Sequence, residues 1–165
     1  MDAKSVFSIL AFLFSAVTYV PYVKSVLSGN AKLTISAWIS WGVLDAVTLA
    51  GIIAAGEMAW QIVAYLVGVI AVIIASAWKG STVGWTKLDS FCLIMSIIAI
   101  GLWAVSGNPN LAIVLSLVAT TIGTVPMFVN VWRIPTNEPL LPWVLITIGG
   151  VSAVAAVRAW NIAGS

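Results

Sequence analysis

Apolar positions fall into six long runs, roughly 5–27, 35–56, 58–78, 87–106, 110–132 and 140–160, with short polar stretches between them. A helix needs roughly 20 apolar residues to cross a hydrocarbon core, and each run meets that need. Residues 90–132 carry no charge and are too long for one span. Gly107-Asn108-Pro109-Asn110 divides them: Asn108 can cap, and Pro109 can open the next helix, where its missing N–H costs nothing. Pro139 and Pro142 open the last run in the same way. The pattern predicts an all-α protein of six transmembrane helices.

One spacing occurs twice. Thr18-Tyr19-Val20-Pro21-Tyr22 precedes Trp38, seventeen residues after Pro21; Gly123-Thr124-Val125-Pro126-Met127 precedes Trp143, seventeen residues after Pro126. The offset is 105 in both cases, without a gap. A proline late in one apolar run, a polar loop, then Trp early in the next run is one unit used twice, a pattern of repeat-built membrane transporters. The offset maps the first run on the fifth and the second on the sixth. The copy of the third run falls near residue 163, and the sequence ends at Ser165, so the second unit is expected to lack its third helix. The fourth run links the units and, as a single span, restores the orientation, which makes the repeats parallel. The expected segments are 1–79 (first three-helix repeat), 80–106 (linker helix) and 107–165 (incomplete second repeat).

Composition agrees with a lipid solvent: 62% of residues are hydrophobic and 7% charged, against roughly 25% charged in soluble domains. A net charge of +2 is too small for nucleic-acid binding. Met1-Asp2-Ala3-Lys4 is a weak positive leader without a clean cleavage site, so the first run reads as a retained helix. Lys24, Lys32, Lys79, Lys87 and Arg133 lie in loops after the first, third and fifth runs; the other side has Lys4 and Arg158. The positive-inside rule places those loops in the cytoplasm and the amino terminus outside. Trp60, Trp78, Trp85, Trp103, Trp132 and Trp160 fall near run ends, as an interfacial belt does. With no His and a single Cys, Cys92, in an apolar run, zinc, haem and iron–sulfur sites and His-based catalytic groups are excluded. No cofactor and no enzymatic activity are expected.

At Pro21, Pro126 and their shared setting the chain resembles the SWEET and PQ-loop superfamily of small membrane transporters. That family joins two three-helix units, each with a proline in its first helix, through a linker helix, with the amino terminus outside. Its Pro-Gln pair is Pro21-Tyr22 and Pro126-Met127 here. Some bacterial membrane proteins look similar, with a Pro-Tyr and a Ser-x-Trp-x-x-Trp like Ser36–Trp41. The resemblance implies a bacterial inner-membrane carrier of a small neutral solute, with sugar as one candidate.

Asp45 lies mid-helix in the second run, where a carboxylate costs about 2.5–3.5 kcal/mol on insertion scales. Trp38, Trp41, Asp45 and Thr48 share one helical face. Indoles there can stack on a solute while Asp45 accepts its hydroxyls or a proton; the alternative is Asp45 bonded to a neighbouring helix as structural glue. Its mate in the second unit is Gly150, so any pocket is asymmetric. Ser116, Thr120, Thr121 and Thr124 in the fifth run, Ser15, Thr18, Tyr19 and Tyr22 in the first, and Gln61 and Tyr65 in the third either line the pocket or tie helices together. Trp143, mate of Trp38, and Thr147 one turn later fit belt or pocket. The candidate solute-binding set is Trp38, Trp41, Asp45, Thr48, Tyr19, Tyr65, Thr120, Thr124, Trp143 and Thr147. Pro21 and Pro126 are candidate hinges, because an internal proline removes a backbone hydrogen bond. Asp89 suits the amino terminus of the fourth helix, and Gly51, Gly68 and Gly149-Gly150 suit close helix contact.

The expected function is facilitative or proton-linked transport by alternating access, at a midplane pocket between the first, second, fifth and sixth helices. The alternative is a small integral subunit packed in a larger membrane complex. The expected partners are the lipid bilayer and a small-molecule solute, with a homo-oligomer or such a complex as further options.

Overall fold

A computed structural model describes residues 2–54, 60–106 and 109–156. Its elements are α1 (Ala3–Val17), α2 (Tyr19–Leu27), α3 (Ile35–Ala54), α4 (Trp60–Lys79), α5 (Lys87–Ser106), α6 (Pro109–Arg133), a 3-10 turn (Pro135–Asn137) and α7 (Leu140–Ala156). The protein is all-helical; the described residues form no strand beyond one isolated bridge between Leu33 and Thr82. The first apolar run is divided into α1 and α2 at Thr18. Pro21 cannot donate to the Val17 carbonyl, four residues back, and its ring crowds it. Thr18 keeps helical angles (φ −55, ψ −32), so the segment is interrupted without reversing. Pro126, the repeat mate, sits inside an unbroken α6, so the matched prolines have unlike effects on their helices. Among the described residues, Ala3–Leu27 and Trp60–Lys79 are long and apolar enough to cross a membrane.

Helix order in space differs from order in sequence. α1 packs on α7 and α4, α2 on α4 and α7, α3 on α4, α5 and α6, and α5 on α6. Small residues set the closest approaches. A Cβ at Gly149 would lie 3.0 Å from the Ser15 hydroxyl, where α7 crosses α1. A Cβ at Gly123 would lie 2.8 Å from the Ser40 Cβ, where α6 crosses α3. At Gly68 of α4 the Tyr19 ring lies flat on the backbone, and an added Cβ would come within 2.2 Å of it. The predicted role in close packing holds at Gly68 and Gly149 and fails at Gly150, where an added Cβ would meet nothing within 4 Å. Arg158 and Trp160 lie outside the described residues, as do the side chains of Trp103 and Ser116 and the surroundings of Gly51.

The buried core joins Tyr19, Tyr22, Val26, Leu33, Trp38, Val69 and Val72. Several buried polar groups join one helix to another, as an apolar interior favours, while the Thr34 hydroxyl, the Trp38 indole N–H, the Asn130 amide nitrogen and Glu138 Oε1 find no partner among the described residues. The Ser36 hydroxyl and Thr86 both donate to the Asp89 carboxylate. Asp89 stands in the first turn of α5, as expected, and is buried there, where it also fastens the start of α5 to the start of α3. Ser96 donates to the Ala119 carbonyl at 3.1 Å, joining α5 to α6.

The connections after α2, α4 and α6 meet at one end of the bundle. The Lys32 amide donates to the Asn137 carbonyl at 3.0 Å, the Leu33 amide to the Ser81 carbonyl at 3.0 Å, and the Val83 amide to the Leu33 carbonyl at 2.8 Å. At the opposite end the Lys4 ammonium donates to the Ala155 carbonyl at 2.8 Å. Trp78 and Trp132 are 86% and 90% exposed, Trp60 and Trp85 are also exposed, and all four point away from the core.

Gly68→Ala should push the Tyr19 ring out of place and lower stability by about 1–3 kcal/mol, the usual cost of overpacking. Thermal unfolding in detergent measures this. Tyr19→Ala in the Gly68→Ala background should recover part of the loss, because the clash partner is then gone.

Candidate functional site

A cavity of about 290 Å³ lies where the first segment, α3, α4, α6 and α7 come together. Thr18, Tyr19 and Tyr22 form one wall, with Trp38, Trp41, Leu44 and Asp45 from α3 opposite. Tyr65 and Val69 of α4, Thr120 of α6, and Pro142, Trp143 and Ile146 of α7 complete it. The helical steps from Trp38 to Trp41 to Asp45 put these three side chains on one face, as their spacing implies.

Four rings close into a circuit. Ring centroids are 4.7 Å apart for Tyr22 and Trp38, 5.3 Å for Trp38 and Trp41, 6.1 Å for Trp41 and Trp143, and 6.4 Å for Tyr22 and Trp143. All four contacts are edge-to-face, the arrangement favoured by the ring quadrupoles. The rings come from α2, α3 and α7, so the circuit also holds three helices together.

Hydrogen bonds fix the rings. The Trp41 indole N–H donates to the Thr124 hydroxyl at 3.0 Å, and that hydroxyl donates to the Thr120 carbonyl at 2.7 Å. The Tyr22 hydroxyl and the Trp143 indole N–H, the latter at 3.2 Å, both donate to Glu138 Oε2. Thr18 donates to the Pro142 carbonyl at 2.5 Å, pinning the kink to α7. Tyr65 accepts from Ser15 and from Gln61, both at 3.0 Å. The Asp45 carboxylate lines the cavity and, among the described residues, receives no hydrogen bond.

Seven of the ten residues singled out from sequence meet in this wall: Tyr19, Trp38, Trp41, Asp45, Tyr65, Thr120 and Trp143. Thr124 stands behind the wall as the acceptor for Trp41. Thr147 is exposed and donates to the Trp143 carbonyl within its own helix at 2.7 Å. Thr48 is not among the lining residues. α4 contributes to the wall, beyond the four helices expected. Gly150, mate of Asp45, meets no atom within 4 Å of a built Cβ, so the carboxylate has no counterpart on α7.

Glu138 is the residue that sequence reasoning missed. It stands in a loop, yet it is buried, with Oε2 taking two hydrogen bonds and Oε1 taking none. One signal was available. It is an acid in a set of connections otherwise carrying basic residues, five positions before Trp143. At the offset of 105 it corresponds in sequence to Leu33, which is fully buried.

No family model matches the chain, and no curated protein or solved structure does either.

Burial pushes the Glu138 carboxyl above its ordinary value, and the hydrogen bonds from Tyr22 and Trp143 oppose that push without cancelling it. The unfolded chain titrates near the ordinary value, about 4.3. The folded protein therefore holds this proton more tightly. The resulting stabilisation is complete below the unfolded value and is lost as pH rises through the folded one. Wild type should lose melting temperature relative to Glu138→Gln as pH is raised from about 4. A difference that stays constant from pH 4 to 8, in detergent melts of both proteins, would show that Glu138 does not titrate between the two states.

Proposed function

We propose that the protein is a six-span membrane carrier that binds a small solute in this cavity and exposes it to each side of the bilayer in turn. The observation that carries the reading is the cavity itself, where aromatic rings meet a carboxylate that receives no hydrogen bond from the described residues. The packing supports a pair of parallel units. α1 lies on α7 while α3 lies on α6. Exchanging first with fifth and second with sixth apolar runs turns one contact into the other. A bundle with apolar side chains and indoles on its outside, and serines, threonines and Asp89 tied inside, fits lipid as solvent. The meeting of three basic connections at one end fits a cytoplasmic face.

The break before Pro21 gives the carrier a place to bend. Rocking of α2 with its loop against α7 would separate Tyr22 from Glu138 and Trp143 and open the cavity at that end. The continuous α6 around Pro126 makes the first segment the better moving part.

Two measurements test this. In proteoliposomes given a panel of labelled sugars, neutral amino acids and amines, at least one solute should equilibrate faster than in empty vesicles. Asp45→Asn should then slow it by about tenfold or more, the scale of one lost charged contact. Unaided exchange for the whole panel would remove the carrier reading. In a Cys92→Ser background, Lys4→Cys should react with an impermeant maleimide from outside intact cells, and Lys32→Cys only after permeabilisation. The reverse pattern would invert the orientation.

A further inference from the structure

The polar chemistry of the cavity wall is unevenly spent. Thr18 is bound to the Pro142 carbonyl, Tyr22 to Glu138, and Tyr65 to Ser15 and Gln61. A sugar needs several free donors and acceptors around its hydroxyls, and these groups are already engaged with the protein. What the wall leaves free is one buried donor, the Trp38 indole N–H, which has no partner among the described residues, together with a carboxylate and ring surface. The Asp45 carboxylate lines the cavity with no hydrogen bond from any described residue, and the rings of Tyr22, Trp38, Trp41 and Trp143 stand around the same space.

Resting on the reading of this cavity as a solute site, we propose that it takes a small organic ammonium ion, held among the four rings and balanced by Asp45. Ring quadrupoles attract a cation within about 6 Å of a centroid, most strongly for Trp, and three of the four rings are Trp. All four rings line the same cavity and adjacent centroids are no more than 6.4 Å apart, so an ion in that cavity meets more than one ring. A desolvated carboxylate costs several kcal/mol unless a cation or a proton accompanies it, and an ammonium ligand supplies the countercharge that no Lys or Arg supplies among the lining residues. The volume of about 290 Å³ is just below the roughly 300–1,000 Å³ of ordinary small-molecule sites, which restricts the occupant to a compact ion.

The test uses choline and its carbon isostere dimethylbutanol, which differ in charge and hardly in shape. Titrations follow tryptophan fluorescence of the intact protein in nanodiscs of phosphatidylglycerol, a lipid without an ammonium headgroup. Choline should bind about tenfold or more tightly than the isostere, the scale of a desolvated cation–π and ion-pair contact. Asp45→Asn should narrow that gap while leaving the isostere's affinity unchanged, and Trp41→Leu should weaken choline more than the isostere. Equal affinities in wild type, or tighter binding of the isostere or of glucose, would overturn the ammonium assignment and leave the solute cavity standing. Binding of none of the three would overturn both. A parallel titration in phosphatidylcholine nanodiscs separates two sources of the same chemistry. Lost choline binding there identifies a lipid headgroup as the occupant, and unchanged binding identifies the free ion; both outcomes support the ammonium class.

Discussion

Edge-to-face contact among Tyr22, Trp38, Trp41 and Trp143 decides how the helices around the cavity can sit. Each ring presents its positive rim to a neighbour's negative face, and such pairs contribute about 0.5–1.5 kcal/mol beyond burial. Because the rings come from α2, α3 and α7, moving one helix breaks two contacts of the circuit. Their outer edges are also held: Trp41 by Thr124 of α6, Tyr22 and Trp143 by Glu138. The cavity is therefore bounded by a cross-linked set rather than by independent side chains.

Polar groups inside this apolar bundle do two separate jobs. Ser36 with Asp89, Ser96 with the Ala119 carbonyl, and the Ser15–Gln61–Tyr65 cluster join helices, and all are satisfied by protein partners. An unsatisfied polar group would cost about 1–3 kcal/mol, so this pairing is what an interior without water requires. Four buried atoms depart from the rule: the Thr34 hydroxyl, the Trp38 indole N–H, the Asn130 amide nitrogen and Glu138 Oε1 find no partner among the described residues. Asp45 is a different case, half-buried, with its carboxylate on the cavity and no hydrogen bond from any described residue.

The connections at the basic end add a constraint that helix packing alone does not provide. Backbone hydrogen bonds join residues 31–33 to 81–83 and to Asn137, and the 3-10 turn carries Glu138 down beside Tyr22. Loop and cavity are thereby coupled: the carboxyl that holds two rings is positioned by a segment of three residues outside the helices. Leu33, fully buried, stands at the corresponding sequence offset, so the two loops carry an apolar side chain in one case and a carboxyl in the other.

Much of the architecture was legible in the order of residues. Six apolar runs and the punctuation at Gly107-Asn108-Pro109 and Pro139 foretold helix limits that agree with the described elements to within about two residues, apart from the division of the first run at Thr18 and the end of the sixth, which passes beyond the described residues, because hydrophobic length and proline chemistry act locally. The face shared by Trp38, Trp41 and Asp45 was equally local, a matter of helical step. The distant relations were not. That α1 would lie on α7 and α3 on α6, that Tyr19 would rest on Gly68, and that Pro21 would divide its helix while Pro126 would not, all depend on which surfaces come within a few ångströms of one another. Glu138 shows the division most clearly. Its sequence neighbourhood describes an exposed polar loop, and only the folded chain, by bringing Tyr22 and Trp143 against it, turns that loop residue into a buried carboxyl at the edge of the cavity.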